Sequence, residues 1–188
     1  MSNRSLFDKI IVIDLEASCD DPRPSWSSEV IEIGVCLLDR TSLEITDKRS
    51  ILVKPENTPI TPFCTSLTTI TKEMLDSGGV SLQEAIKILV KEYKIDKRLW
   101  CSWGYYDYQT LTQDCAAKGI KCPYKPRQHI NLKPNICFTQ GWDEQIDVKA
   151  ALSKFGLEFE GTHHRGHDDA YNIAKIFAAH MRVLRKNP

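Results

Sequence analysis

The run Ile10-Ile-Val-Ile13, followed at once by Asp14-Leu15-Glu16, constrains this chain more than any other stretch. Four consecutive β-branched residues bounded by charge suit a strand buried on both faces better than a helix. Residues two apart on a strand point to the same face, so Asp14 and Glu16 converge on one spot at the strand end. Two neighbouring carboxylates repel each other unless a cation lies between them, and hard oxygen ligands of this kind suit Mg²⁺ or Mn²⁺. Taken alone, an Asp-x-Glu is more often a solvated strand end than a ligand pair.

The segments that follow fill in a layered fold. Glu29 to Leu38 is nearly continuous apolar, and Ile45 to Val53 alternates more weakly after a turn at Thr41-Ser42. With the first strand they predict a three-stranded antiparallel meander. Beyond Pro55, Pro59 and Pro62, helical periodicity places Leu82, Ala85, Ile86, Leu89, Val90 and Tyr93 on one face, with Ser81 and Glu84 as a capping box. Leu99 to Trp103 reads as a fourth strand, Asp107 to Lys118 as a helix ended by Gly119, and Gln128 to Ile130 as a short fifth strand. From about Asp168 to Leu184 an apolar stripe at helical spacing predicts a last helix packed on the sheet. Strands first, then alternating helices and strands, predict an α/β fold with a mixed sheet, and one domain spanning 1–188.

Composition narrows the function classes. Twenty-five basic residues balance twenty-five acidic ones, so no bulk field draws the chain onto polyanions, and nucleic-acid binding would need a local patch or bound metal. Disorder, collagen and repeat arrays are excluded. The seven cysteines (Cys19, Cys36, Cys64, Cys101, Cys115, Cys122 and Cys137) stand singly and are odd in number, which predicts a reducing interior. Met1 to Lys9 lacks a signal-peptide core, and no 18-residue apolar run occurs. The expected setting is soluble, intracellular and cytoplasmic, without membrane.

Two further acidic positions stand out. Asp107 falls at the start of the predicted helix after the fourth strand, where a carboxylate also serves as a plain cap. The third cluster, His163-His164-Arg165-Gly166-His167-Asp168-Asp169, runs into the final helix. Three histidines in five positions invite zinc, yet no HExxH occurs, no cysteine lies nearby, and the companions are carboxylates, which favour Mg²⁺ or Mn²⁺. His163 and His167 read as loop surface. His164 precedes Asp169 by five residues, close enough for its imidazole to serve as a general base beside a cation held there.

These residues resemble the DEDDh 3′→5′ exonucleases of the DnaQ-like, ribonuclease-H-like fold, over nearly the whole chain. Asp14-Leu-Glu16 resembles the first motif, Cys101-Ser-Trp-Gly with Asp107 and Leu111 the second, and His164 with Asp169 the third, in order. IDLEASC from Ile13, SLTTIT from Ser66 and HHRGHDDAYNIA from His163 are similar to the histone-mRNA 3′-end and small-RNA exonuclease branch. The resemblance implies a ribonuclease-H-like mixed sheet flanked by helices and a metal-dependent exonuclease releasing nucleoside monophosphates. It implies that Asp14, Glu16, Asp107 and Asp169 hold two divalent cations, Asp14 between them, and that His164 activates the attacking water. One cation would assist the nucleophile and the other the leaving 3′-oxygen. It further assigns the Ala17 backbone, Leu67 and Ile70 to gripping the terminal nucleotide, with core packing in a short helix the competing reading for Leu67 and Ile70. Asp168 would cap the helix.

The resemblance favours single-stranded RNA 3′ ends over DNA. It also implies that 188 residues are consumed by the nuclease fold, so that specificity comes from the end itself or from a protein partner. Between Cys115 and Trp142 no Asp or Glu occurs, while Lys118, Lys121, Lys125, Arg127 and Lys133 lie there with Tyr124 and His129. Lys125 and Arg127 are the candidates for tracking phosphates, and a solvated loop is the competing reading. Trp26, Tyr105 and Tyr106 are candidate stacking residues, and Asp20 to Ser28 a candidate lid. Two other functions compete: a non-catalytic nucleic-acid-binding module on the same fold, and a small zinc or thiol hydrolase built from His163, His167 and a cysteine.

Overall fold

The central strand carries the architecture. In the computed structural model, which describes residues 6–186, β1 (Lys9–Ala17) pairs antiparallel with β2 (Val30–Asp39), and β2 pairs antiparallel with β3 (Ile45–Leu52). On its other side β1 pairs parallel with β4 (Trp100–Ser102), which pairs parallel with β5 (His129–Asn131). The five-stranded order β3-β2-β1-β4-β5 is the predicted meander extended by two parallel strands. Residues 1–5, part of the segment read for a targeting signal, lie outside the described residues. Among those described, no helix is long and apolar enough to cross a membrane.

Among the described residues seven α-helices flank the sheet: α1 (Pro62–Thr68), α2 (Lys72–Gly78), α3 (Leu82–Ile88), α4 (Tyr106–Ala117), α5 (Leu132–Thr139), α6 (Val148–Lys154) and α7 (Gly166–Lys186). The expected capping box is present: Glu84 N donates to Ser81 Oγ at 3.2 Å and Ser81 N to Glu84 Oε2 at 3.1 Å. Helix α3 runs on through a π turn, Leu89–Tyr93, and stops at Lys94 in a left-handed conformation (φ 60°).

The period of two along β1 decides where chemistry can occur. Ile11, Ile13 and Leu15 face the layer built from α3 and α4, where Leu82, Leu89 and Leu111 join them. Val12 faces the opposite layer, with Ile173 and Ala174 of α7. Asp14 and Glu16 follow Val12 in the alternation, so they point to the α7 side. On β2 the same face carries Glu32, Gly34, Cys36 and Leu38, and the register sets Gly34 beside Asp14 and Glu32 beside Glu16. A Cβ on Gly34 would lie 1.8 Å from the carbonyl carbon of Gly166, so only glycine lets the start of α7 rest on β2.

Lys118 is buried at the end of α4, tied to Glu29 (2.5 Å) and to Asp114. Glu29 also accepts from the backbone N–H of Glu56 (3.0 Å) and Asn57 (2.7 Å). Burial alone raises the Glu29 carboxyl, but the Lys118 ammonium and these donors overcome it and hold the group at about 2, against an ordinary 4.5. Because the folded pKa lies below the unfolded one, the stabilisation is full above about pH 4.5 and is lost as pH falls towards 2. Glu29→Gln is expected to cost ~2 kcal/mol at pH 7. It should also flatten the fall in stability across that window, as urea denaturation at a series of pH values would record.

Candidate active site

Three carboxylates meet where β1 ends and α7 begins. Asp14, Glu16 and Asp169 each present an oxygen within 4.8 Å of the others. Asp107, in the first turn of α4, lines the same cleft, and its Oδ1 accepts from Leu15 N at 2.9 Å, which locks α4 to β1. Asp169 Oδ2 accepts from His164 N at 2.7 Å, which fixes the loop before α7 on its own acid. His164 takes a left-handed backbone (φ 62°), strain tolerated where surrounding bonds over-determine the conformation. Its ring lines the cleft, about 420 Å³ in volume, and lies 3.9 Å centroid to centroid from that of His163.

The electrostatics are those of negative charge held together by the fold. Burial, then the charges of Asp107, Asp169, Glu16 and Glu32, pushes Asp14 well above the usual carboxylate range. Burial and the same neighbourhood raise Glu16 to about 8. Asp169 rises to about 7 and Asp107 to about 6 by burial, each partly relieved by the backbone N–H it accepts from. Burial, then Lys149, pushes His164 down. A cluster of hard oxygens that disfavours its own ionisation fits a hard divalent cation, which would restore all four charges.

Glu32 supplies the scaffold that the sequence reading missed. Its carboxylate, on the fully buried face of β2, accepts from Gly166 N (2.9 Å), His167 Nδ1 (2.9 Å), and Arg165 Nε and Nη2 (3.3 and 3.4 Å). Three successive residues between His164 and Asp168 are therefore tied to β2. The signal was a lone acid in the apolar run Val30-Ile-Glu-Ile33, because a charge in a buried strand needs partners. His167, read as loop surface, belongs to this anchor. Asp168 does not cap α7, which starts at Gly166: it accepts from Thr162 N at 2.7 Å and pairs with Lys48.

The remaining sequence candidates separate. Ala17 and Leu67 line the cleft, and Leu67 is 37% exposed. Ile70 does not: it is fully buried with Ile31, Cys64 and Leu75. Lys125 and Arg127 are not at the cleft, for a topological reason. They precede β5, and because β5 runs parallel to β4 and β1, its start lies at the end of the sheet away from Asp14 and Glu16. There they share a hollow with Asp96, Lys97 and Leu99. Tyr124 and His129 pack on Trp100, with ring centroids 4.9 and 4.3 Å away. Of the basic segment only Lys133 lines the cleft, joined there by Trp103 and Asp147.

A five-stranded mixed sheet of ribonuclease-H-like order, with four carboxylates and a histidine gathered at the end of its central strand, defines a nuclease-type acidic cleft. A family description for exonucleases matches residues 11–177, and the chain belongs to that exonuclease family. It is 33% identical over 183 residues to human 3′-5′ exoribonuclease 1, covering 92% of this chain and 52% of that protein. It is 34% identical over 178 residues to human ERI1 exoribonuclease 3, covering 88% and 51%. The chain thus spans about half the length of the curated relatives it matches. Its fold superposes with TM-score 0.85 and 30% identity on the rAMP-bound nuclease domain of 3′hExo, a DEDDh family member, covering 97% of this chain and 94% of that one. The DEDDh family is metal-dependent, and the acidic cluster such a site needs is present here.

Proposed function

We propose that residues 1–188 act as a single exonuclease domain that hydrolyses single-stranded nucleic acid from the 3′ end to nucleoside monophosphates, RNA favoured over DNA. The observation that carries this reading is the convergence of Asp14, Glu16 and Asp169 within 4.8 Å, with Asp107 and His164 in the same cleft. The four carboxylates hold two divalent cations, Mg²⁺ or Mn²⁺. When bound, these supply charge neutralisation at the phosphate and a lowered pKa for the attacking water.

The chain's own residues do the rest. His164 takes the proton from the water onto its imidazole, steadied by its backbone bond to Asp169. Lys133, which lines the cleft, offers a cation to the phosphate, and Leu67 with the Ala17 backbone packs against the terminal nucleotide. The RNA preference is supported by relatives that are exoribonucleases and by a similar structure (TM-score 0.83, 29% identity) described as 3′-end specific recognition of a histone mRNA stem-loop by 3′-exonuclease. Choice among RNAs falls to the end itself or to a protein partner. All seven cysteines are free, which supports a reducing, cytoplasmic setting.

A gel time course on 5′-labelled single-stranded RNA and matched DNA, with Mg²⁺, Mn²⁺, Zn²⁺ or EDTA, tests the reading. The expected result is a divalent-dependent ladder shortening from a free 3′ end, faster on RNA, blocked by a 3′ cap on the substrate and at least a hundredfold slower in His164→Ala. Binding without cleavage under every metal would instead support a non-catalytic module. Activity that survives loss of Asp14 and follows Zn²⁺ would support a hydrolase built on His163 and His167.

A further inference from the structure

Beside the acidic cleft lies a second hollow, a groove of about 680 Å³. The two share Tyr106, a residue 57% exposed, so the groove begins where the cleft ends. One wall is the loop carrying Arg23, Trp26 and the three serines Ser25, Ser27 and Ser28. The other is one face of α4, with Tyr106, Thr110, Gln113 and Ala117 along it. The floor is the buried set Glu29, Asp114 and Lys118.

The construction of the loop and floor says what the groove can bind. The loop is pinned at its base: Ser18 N donates to Glu29 O at 2.8 Å, and Glu29 N donates to Ser18 Oγ at 2.9 Å. The floor charges satisfy one another and nearby backbone N–H groups, leaving them little to offer a ligand. Of the lining cations, Lys118 is spent on that floor and Arg23 alone remains, so the groove is not a phosphate track. What it presents is hydroxyl and amide groups (the serines, Thr58, Asn57 and Gln113) around the half-buried indole of Trp26. That set matches the sugar hydroxyls and base edges of unpaired nucleotides and the flat face of a base.

We propose that this groove receives the nucleotides next to the one being removed, stacking a base on Trp26 and reading sugar and base edges through the α4 face and the serine loop. The inference rests on the exonuclease reading for the direction of the strand, and it makes the 20–28 loop a fixed wall of the substrate path. It predicts that substrate length matters beyond the terminal dinucleotide, and that the gain is insensitive to salt because it releases few counterions.

The test compares the wild type with Trp26→Ala and Gln113→Ala on a dinucleotide and a six-nucleotide oligouridylate. It adds fluorescence polarisation of a 5′-fluorescein six-nucleotide oligouridylate in the presence of Mg²⁺, with Asp14→Ala as background to prevent turnover. Trp26→Ala is expected to lower the six-to-two ratio of kcat/KM about tenfold, the size of one lost stacking contact, and to weaken binding of the labelled strand similarly at both low and moderate salt. Gln113→Ala should act in the same direction by a smaller factor. If the wild type shortens RNA but Trp26→Ala keeps the ratio and the affinity, the groove proposal falls and the exonuclease reading stands. If nothing is shortened yet binding still depends on Trp26, the exonuclease reading falls, and the groove stands as a single-strand binding site without its assignment beside a removed nucleotide. Binding that ignores Trp26, with or without turnover, overturns the groove.

Discussion

Asp14→Asn is expected to lower turnover by about a thousandfold or more while raising the melting temperature in EDTA. The two effects have one cause. Asp14 is crowded by Glu16 and Asp169 within 4.8 Å, and burial, then the charges around it, pushes its carboxyl well above the usual range. A neutral amide of the same shape removes that repulsion, and each kcal/mol recovered raises the midpoint by about 2–4 °C in a chain of this length. On the proposed function the same change also removes a cation-holding carboxylate, and a charge aimed at a developing transition state is worth several kcal/mol. A divalent cation held by the folded cluster stabilises only the folded state, so on the proposed function Mg²⁺ should raise the wild-type midpoint strongly and that of the variant weakly. Thermal melts of both proteins in EDTA and in a Mg²⁺ titration, beside single-turnover rates, would decide. A variant less stable in EDTA, with a wild type indifferent to Mg²⁺, would make Asp14 an ordinary packing residue.

What could be read in the sequence follows from whether the signal is local. The β1 run, the two acids after it and the stripe of α7 are local patterns, and each element stands within a few residues of its predicted place. The set Asp14, Glu16, Asp107, His164 and Asp169 was legible through ordered motifs, and the fold does bring those residues to one cleft. Helices α5 and α6 were not legible, because eight and seven residues make only two turns, too few for a period to show, and Pro134 sits in the first turn of α5. The basic segment misled for a different reason. Charge without acids says that a stretch is cationic but not which end of the sheet it reaches, and strand direction sent Lys125 and Arg127 to the far end. Lys118, equally basic on paper, is consumed by Glu29 and Asp114. Ile70 stands three residues after Leu67, which lines the cleft, but the turn after α1, where Thr69 takes a left-handed φ of 62°, carries it into the core.

The close approach of β2 and α7 was equally invisible, since nothing in the sequence marks Gly34 and Gly166 as partners, and it sets the second large effect: Gly34→Ala is expected to cost about 3 kcal/mol or more and to abolish turnover in whatever remains folded. The new Cβ would sit 1.8 Å from the carbonyl carbon of Gly166, 1.9 Å from its oxygen and 2.2 Å from His167 N. These are backbone atoms, with no rotamer to change, so the start of α7 must move away from the sheet by an ångström or more to restore ordinary contact. Overpacking of flexible side chains typically costs about 1–3 kcal/mol, and a backbone obstacle lies at or beyond the top of that range. The displacement also strikes the site. Gly166 donates to Glu32 and stands two residues after His164 and three before Asp169, so moving it breaks the anchor and parts Asp169 from Asp14 and Glu16. Chemical denaturation would read the stability loss. Mg²⁺ titration of the variant at low temperature, where a folded fraction survives, would separate lost geometry from lost fold, because a displaced Asp169 weakens the cation site even in molecules that remain folded. A Gly34→Ala protein with wild-type stability and Mg²⁺ response would mean that α7 does not lie on β2 as closely as described, and the placement of His164 and Asp169 would have to be redrawn with it.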